Sequence, residues 1–451
     1  MNPLPGLVIF TSDVIVWIAC VVLVLYARAV LGSAQSRRIW VEVLRRPLPM
    51  ASLVVVLGYI LIAVLDSVHL GLEARAGNGP VGPVTRSLLD LLLLPLVEQV
   101  ERSYSAPLAL YAHAAEVVIV DGRPRWVHPR LEHAGTHLAA PDDWLADVLL
   151  RSLGGALAGL LVGLLLALAI FRCARPAAAG LAWRSLLVTL LFLGAITGAL
   201  ALLVPVYHPL GTDQVGNDVL LQAVKSIRTG IVIGALTTAV GLPVAIVLGL
   251  AAGYFRGRTD DLVQYVYTTV SSVPAVLLIA AAILSIDVWF DAHGIGATST
   301  EQRADLRLVA LCVILGLTGW TGLCRLLRAE CLKLRELEFV QAARALGVGS
   351  ATLMYRHLLP NVSHLVLIAA VLDFSGLVLA EAVLAYVDIG VDPSTPSWGG
   401  MINKARGELA RDPIVWWSLA AAFVFMFLLV LAANLLGDAL REAYDPRLRR
   451  A

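Results

Sequence analysis

Lysine is nearly absent from this chain. Of its 451 residues only Lys225, Lys333 and Lys404 are lysines, and none follows a glycine. A phosphate-cradling loop ending in Gly-Lys therefore cannot form, which excludes nucleotide binding by that route. Charge of either sign is also scarce, at 15% of residues, against about 25% in an ordinary soluble domain. With 59% apolar residues and a mean hydropathy of +0.82, a soluble globular chain is excluded and a polytopic membrane protein is expected. The net charge of +1 carries no nucleic-acid footprint. Cysteine is sparse too: Cys20, Cys173, Cys312, Cys324 and Cys331 lie in or beside apolar segments with no Cys-x-x-Cys spacing. They read as small buried hydrophobes, with neither a disulfide framework nor a zinc site.

What is present is a series of apolar runs. A spanning helix needs about 20 mostly apolar residues, and about nine candidates fall near 7–27, 48–66, 147–170, 185–205, 230–253, 263–285, 308–327, 363–387 and 414–437. The first lacks the basic start and small-residue cleavage site of a signal peptide and reads as a retained span. Basic residues crowd alternate loops: Arg28, Arg37, Arg38, Arg45 and Arg46 after the first span, and Arg172, Arg175 and Arg184 after the third. Loops rich in Arg stay in the cytoplasm, so the N-terminus is expected outside and the C-terminus inside. The long hydrophilic stretch after the second span is then extracytoplasmic. In it, Glu116–Val120 and Arg125–Val127 flank Asp121-Gly122, the chemistry of a tight β-hairpin turn. The run Leu88–Leu96 is too short to span and reads as an amphipathic or buried piece of this insertion.

Between the seventh and eighth spans lies a polar, basic stretch, Glu338–Asn361. Glu338–Leu346 is a run of helix formers, Gly347 can take the left-handed conformation that ends it, Ser350 can cap a second helix, and that helix is expected to stop before Pro360. Gln341-Ala342-Ala343, Gly347 and Leu359-Pro360 together resemble the EAA loop of ABC-importer permeases. Arg356–Asn361 is similar to the dipeptide, oligopeptide and nickel branch of that family, in its C-type, second permease subunit. Gln341 stands where the family usually has Glu. The resemblance implies that Glu338, Gln341, Ala342, Ala343, Gly347, His357 and Pro360 face an ATPase. Three further stretches resemble the same family in the right order: Tyr207–Leu220, Pro393–Asn403, and Asn434 through Arg447. The first implies an outer rim, meeting a substrate-binding protein, made of His208, Gly211, Thr212, Asp213 and Asp218.

An internal repeat links the residues leading into the third span with those leading into the fifth. His137, Asp142, Asp147 and Gly163 recur at a constant offset as His208, Asp213, Asp218 and Gly234. A duplicated segment is one reading; chance matching in a Leu- and Val-rich chain is the other. Asp373 and Glu381 sit inside the eighth span, about two helical turns apart and so expected roughly on one face, where ionisable groups are costly and face a pathway or lock a neighbouring helix. His133 and His137 have the i, i+4 spacing that on a helix could hold a metal, although Gly135 between them favours a solvated loop. No spacing supports a catalytic triad.

The expected architecture is an all-α polytopic membrane protein with a small extracytoplasmic α+β insertion. Extra membrane helices occupy 1–66, the insertion 67–146, and a third extra helix with its cytoplasmic loop 147–182. The type I permease core, formed by the last six spans, occupies 183–451, with the coupling loop at 336–361. The resemblance implies a non-enzymatic subunit of a di- or oligopeptide importer in the bacterial inner membrane, binding no cofactor itself. Its partners would be a second permease in a heterodimer, two ATPases carrying ATP and Mg, an extracytoplasmic binding protein, and lipid. Nickel chelates or another small solute are the alternative cargo. A secondary transporter or channel, or a membrane-bound hydrolase using the histidine-bearing insertion, are alternatives of other classes. A reporter fused after Arg38 is expected to be cytoplasmic and one after Asp121 extracytoplasmic; swapped signals would overturn this topology.

Overall fold

The computed structural model describes residues 6–76, 79–120, 123–138, 140–174, 180–293 and 300–444. The chain begins with strand β1 (Gly6–Val8) and helices α1 (Thr11–Gly32), α2 (Ala34–Leu44) and α3 (Pro47–Asp66). The insertion follows, with β2 (His69–Ala76), β3 (Gly79–Ser87), the short helices α4 (Leu88–Leu92) and α5 (Leu94–Glu98), then β4 (Glu116–Val120) and β5 (Arg123–Val127). The remainder is helical: α6 (Trp144–Ala174), α7 (Trp183–Leu203), α8 (Val219–Phe255), α9 (Arg258–Ser272), α10 (Ala275–Ala292), α11 (Thr300–Gly319), α12 (Thr321–Leu334), α13 (Glu338–Ala345), α14 (Ser350–Leu353), α15 (Leu359–Tyr386), α16 (Trp398–Glu408) and α17 (Trp417–Tyr444).

Among the described residues nine helical stretches are long and apolar enough to cross a membrane. Eight overlap the expected spans closely. The sixth differs, because α9 ends at Ser272 and the crossing stretch is α10, Ala275–Ala292. Pro274 is the cause. The residue before a proline is driven out of the α region, and Val273 is extended at φ −89°, ψ 132°.

The chain divides into two compact units. One gathers the described residues up to Ile9, Cys20–Gly230 and Pro396–Leu436. Its two sheets are antiparallel: β1-β2-β3, and the β4-β5 hairpin read from the sequence, whose expected turn residues Asp121 and Gly122 lie outside the described residues. That β1, before the first span, adds an edge to the insertion's sheet by pairing Gly6–Val8 with Gly71–His69 was not legible beforehand. Within this unit α6 and α7 approach so closely that glycine is required. A Cβ on Gly159 would meet the Gly194 carbonyl, and one on Gly155 the Gly198 carbonyl. Such small-residue faces let helices in lipid pack backbone to backbone, where no hydrophobic force drives association. Earlier elements of this unit are also tied to later helices: Tyr59 of α3 donates to the Phe425 carbonyl at 2.8 Å, and Asp90 of α4 pairs with Lys225 at 2.7 Å.

The other unit gathers Phe10–Ala19, Ile231–Thr395 and the described residues from Gly437. Its core joins α8, α12, α13 and the start of α15 through Ala245, Leu250, Leu327, Cys331, Val340, Leu353 and Leu358. Arg328 clasps Asp260 with two hydrogen bonds, the second at 2.8 Å, and Arg335 donates to the Tyr254 carbonyl at 2.7 Å.

Gly159→Val is expected to overpack the α6–α7 contact and lower stability by roughly 1–3 kcal/mol, read as an earlier unfolding transition in detergent. An unchanged transition would show that the close approach is not a constraint.

Candidate functional site

The polar stretch between the seventh and eighth spans folds as a helical hairpin whose first arm is α13. Glu338 lies in the first turn, where a carboxylate suits the helix dipole. The arm ends in a Schellman turn: Gly347 has φ +78°, its N–H reaches the Arg344 carbonyl at 3.0 Å, and the Val348 N–H reaches Ala343 at 3.1 Å. A Cβ on Gly347 would meet nothing within 4 Å, so the backbone conformation, and not space, demands glycine there.

The second arm departs from expectation twice. Gly349, extended at φ −62°, ψ 146°, occupies the cap position, and Ser350 is the first helical residue. Nor does the helix stop before Pro360. Residues Met354–Leu358 form one π turn in which the Leu359 N–H reaches back five residues to Met354, and α15 continues from there. Pro360 falls in the first turn of α15, where its missing N–H costs little.

The two faces of the hairpin differ. Val340 and Ala343 are buried in this chain's own core with Leu353 and Leu358. Glu338, Gln341 and Ala342 are exposed, as are the large side chains of Phe339, Leu346 and Tyr355, Leu346 to 84%. His357 is half-buried and Pro360 exposed. Gln341 donates from Nε2 to the Glu336 carbonyl at 3.0 Å, a bond that an ionised glutamate could not make.

On the insertion side the expected rim is covered. His208, Gly211, Thr212, Asp213 and Asp218 are all buried, beneath residues 101–108. Ser105 and Thr212 exchange hydrogen bonds (Ser105 N to Thr212 Oγ1, 2.8 Å; Thr212 N to Ser105 O, 3.0 Å), Tyr104 N–H bonds Asp213 O at 2.9 Å, and Leu108 N–H bonds His208 O at 3.0 Å. Gly211, at φ +73°, leaves room for the Ser105 carbonyl. The Glu101 carboxylate anchors the cover from within, accepting the N–H groups of Arg102, Glu132, His133 and Ala134 at 2.7–3.2 Å.

The repeat has a structural counterpart. His137 Nε2 lies 2.9 Å from Asp147 and His208 Nδ1 lies 2.8 Å from Asp218, the first pair part-exposed and the second buried. Tyr207 donates to Asp147 at 2.8 Å, and this bond, with burial leading, pushes the phenol's pKa up. His133 and His137 do not share a helix. Gly135 turns the chain at φ +65°, and His133 lies beside Glu101 at 3.8 Å. Among the described residues no group of three or more His, Cys, Asp or Glu is placed to hold a metal.

Asp373 and Glu381 do not share an environment. Eight residues of α-helix turn the second about 80° from the first; Glu381 is buried, whereas Asp373 is exposed on a cavity of 190 Å³ lined also by Thr237, Thr238, Gly241 and Trp320.

A family profile described as binding-protein-dependent transport system inner membrane component matches residues 245–450. A di/tripeptide transport system permease protein, DppC, of Pseudomonas aeruginosa is 33% identical over 242 residues, covering 54% of this chain and 73% of the relative. The chain belongs to the ABC-importer permeases of the peptide, oligopeptide and nickel branch. An oligopeptide permease, OppC, of Mycobacterium bovis is 32% identical over 54% of this chain and 77% of its own length. A glutathione permease, GsiD, of Pectobacterium atrosepticum is 30% identical over 54% and 73%. The chain is thus a multi-pass, non-catalytic membrane subunit. Asp388 takes φ +60° as the turn residue of a second Schellman motif, closed by Ile389 N–H to Leu384 O at 2.9 Å. Aspartate is among the few residues that tolerate this conformation.

Burial alone would raise the Glu101 pKa, but the N–H donors of Glu132, His133, Arg102 and Ala134 outweigh it and hold the carboxyl below its ordinary value. A carboxylate with a depressed folded pKa contributes its stability above the unfolded value of about 4.3 and loses it as pH falls through the folded pKa. Acidification below about 4.3 is therefore expected to release the cover, read as lost hydrogen-exchange protection at Ser105 and Thr212. Glu101→Gln is expected to be loosened already at neutral pH and to lack the acid step; full protection in that variant at pH 7 would refute the anchor.

Proposed function

We propose that this permease forms half of the translocation pathway of an ATP-driven importer of di- or oligopeptides. The two faces of the hairpin then take two tasks. Val340 and Ala343 bind the hairpin to the ends of the spans, while Glu338, Phe339, Gln341, Ala342 and Leu346 offer the surface that an ATPase grips. Gly347 shapes the turn, and His357 and Pro360 lie where the second arm runs into α15. ATP and Mg are carried by two partner ATPases, a second permease completes the pathway, and a binding protein delivers cargo from outside.

The observation that carries this reading is the exposed apolar tip of the hairpin, Leu346 at 84% and Tyr355 at 75%, on a chain whose relatives are named for di/tripeptide, oligopeptide and glutathione transport. A solvated connector has no reason to display such side chains. The arginine-rich loops support an outside N-terminus and a cytoplasmic C-terminus. Because His208, Gly211, Thr212, Asp213 and Asp218 are buried, the binding protein meets the insertion that covers them.

Paired substitutions separate the two tasks. Leu346→Asp is expected to leave folding within about 0.5 kcal/mol, as surface changes do, yet to abolish ATPase copurification and peptide uptake. Ala343→Asp buries an unpaired charge in the chain's own core, at a cost of several kcal/mol, and is expected to reduce the amount of folded permease itself. Normal ATPase recovery and uptake in Leu346→Asp would show the hairpin to be a connector.

A further inference from the structure

Four acidic residues near the span ends of the second unit have partners. Asp291 pairs with Arg303, Asp287 and Asp392 lie near Arg307, and Asp305 accepts the Ser12 N–H at 3.2 Å. Asp373 differs. It sits midway along α15, deep in an apolar span, and no hydrogen-bond or ion-pair partner for it stands among the described residues. A carboxylate so placed is costly unless it serves a cavity, and Asp373 lines one of 190 Å³.

The rest of the wall suits one kind of guest. Helical threonines commonly return their hydroxyl to a carbonyl one turn back, as Thr318 does to Ile314 at 2.9 Å. The Thr238 hydroxyl, beside the cavity, is buried without such a partner, and buried polar groups rarely stay unpaired. Thr237 and Trp320 also line the cavity. Carboxylate, hydroxyl and an aromatic residue are complementary to an organic cation, which all three can attract. Among the described residues no lysine or arginine lines the cavity to compete.

We propose that Asp373, Thr238 and Trp320 form a transient subsite within the pathway for a cationic group of the cargo, of the primary ammonium class presented by a free peptide amino terminus. The inference rests on the importer reading above and adds the chemistry by which the pathway recognises what passes. One carboxylate and two neutral groups give a weak site, which a cargo can leave as readily as it enters.

A probe of the cavity itself tests this without relying on any binding protein. Gly376 lies one helical turn from Asp373 on the same wall, and a Cβ there would meet nothing within 4 Å. In Gly376→Cys, with the parent chain as blank for the native cysteines, modification by a trimethylammonium methanethiosulfonate is expected to outpace the sulfonate-bearing reagent. The excess over free thiol should be about tenfold, the order expected of one nearby unit charge. Adding Asp373→Asn should abolish the excess and Asp373→Glu should keep it; an excess untouched by Asp373→Asn overturns the subsite. In the assembled transporter, trialanine uptake by Asp373→Asn should fall about tenfold with ATPase copurification intact, and Asp373→Glu should restore it. Parent-level uptake in Asp373→Asn overturns the subsite alone, whereas a parent transporter that takes up no peptide overturns the peptide reading and the subsite with it.

Discussion

The burial of Val340 and Ala343 in the cluster that also holds Leu327, Cys331, Leu353 and Leu358 is the contact on which the second unit depends. It makes the hairpin a projection of the spans and not a tether between them. A displacement at α13 reaches α12 and α15 through packed side chains, and packed cores switch between discrete arrangements where a loop would merely flex. The Schellman turn at Gly347 keeps the arm short and its end fixed. Arg328 on Asp260 and Arg335 on the Tyr254 carbonyl brace the base from the α8–α9 side.

On the insertion side the constraint is backbone pairing. The loop between α7 and α8 would leave its polar backbone groups to water, and instead many are taken up by residues 101–108 and by Glu101's neighbours. The close fits at Gly211 and Gly216, each at positive φ and each against an insertion carbonyl, show that the cover is built into the loop. Lys225 on Asp90 and Tyr59 on Phe425 extend the same attachment into the helices. Nothing in this mode of attachment resembles a flexible linker.

Much of this was legible in the sequence because it is local. Apolar length marked the spans, Gly347 announced its turn, and Glu116–Val127 announced a hairpin. What escaped depends on partners distant in sequence. No pattern within 207–218 reveals that it is covered, because the covering residues lie about a hundred positions earlier; the resemblance alone suggested an open rim. Pro274 was visible, but it sits in a mostly apolar run and hydropathy does not register backbone geometry. The glycines at 155, 159, 163, 194 and 198 were readable as a packing stripe, yet Gly163 drew notice only as a repeat match. The separation of Asp373 from Glu381 follows from helical phase, which an eight-residue spacing satisfies only loosely.

The π turn at Met354–Leu358 has one consequence beyond letting Pro360 pass. It accommodates one residue more than an α turn would, so every side chain from Leu359 onward is rotated by roughly 100° relative to an uninterrupted helix. The azimuth of Asp373 about its axis is thereby decoupled from that of Leu353, which anchors the hairpin. Two surfaces with unrelated requirements, one on the hairpin and one lining the cavity, share a single continuous rod because five residues reset its phase.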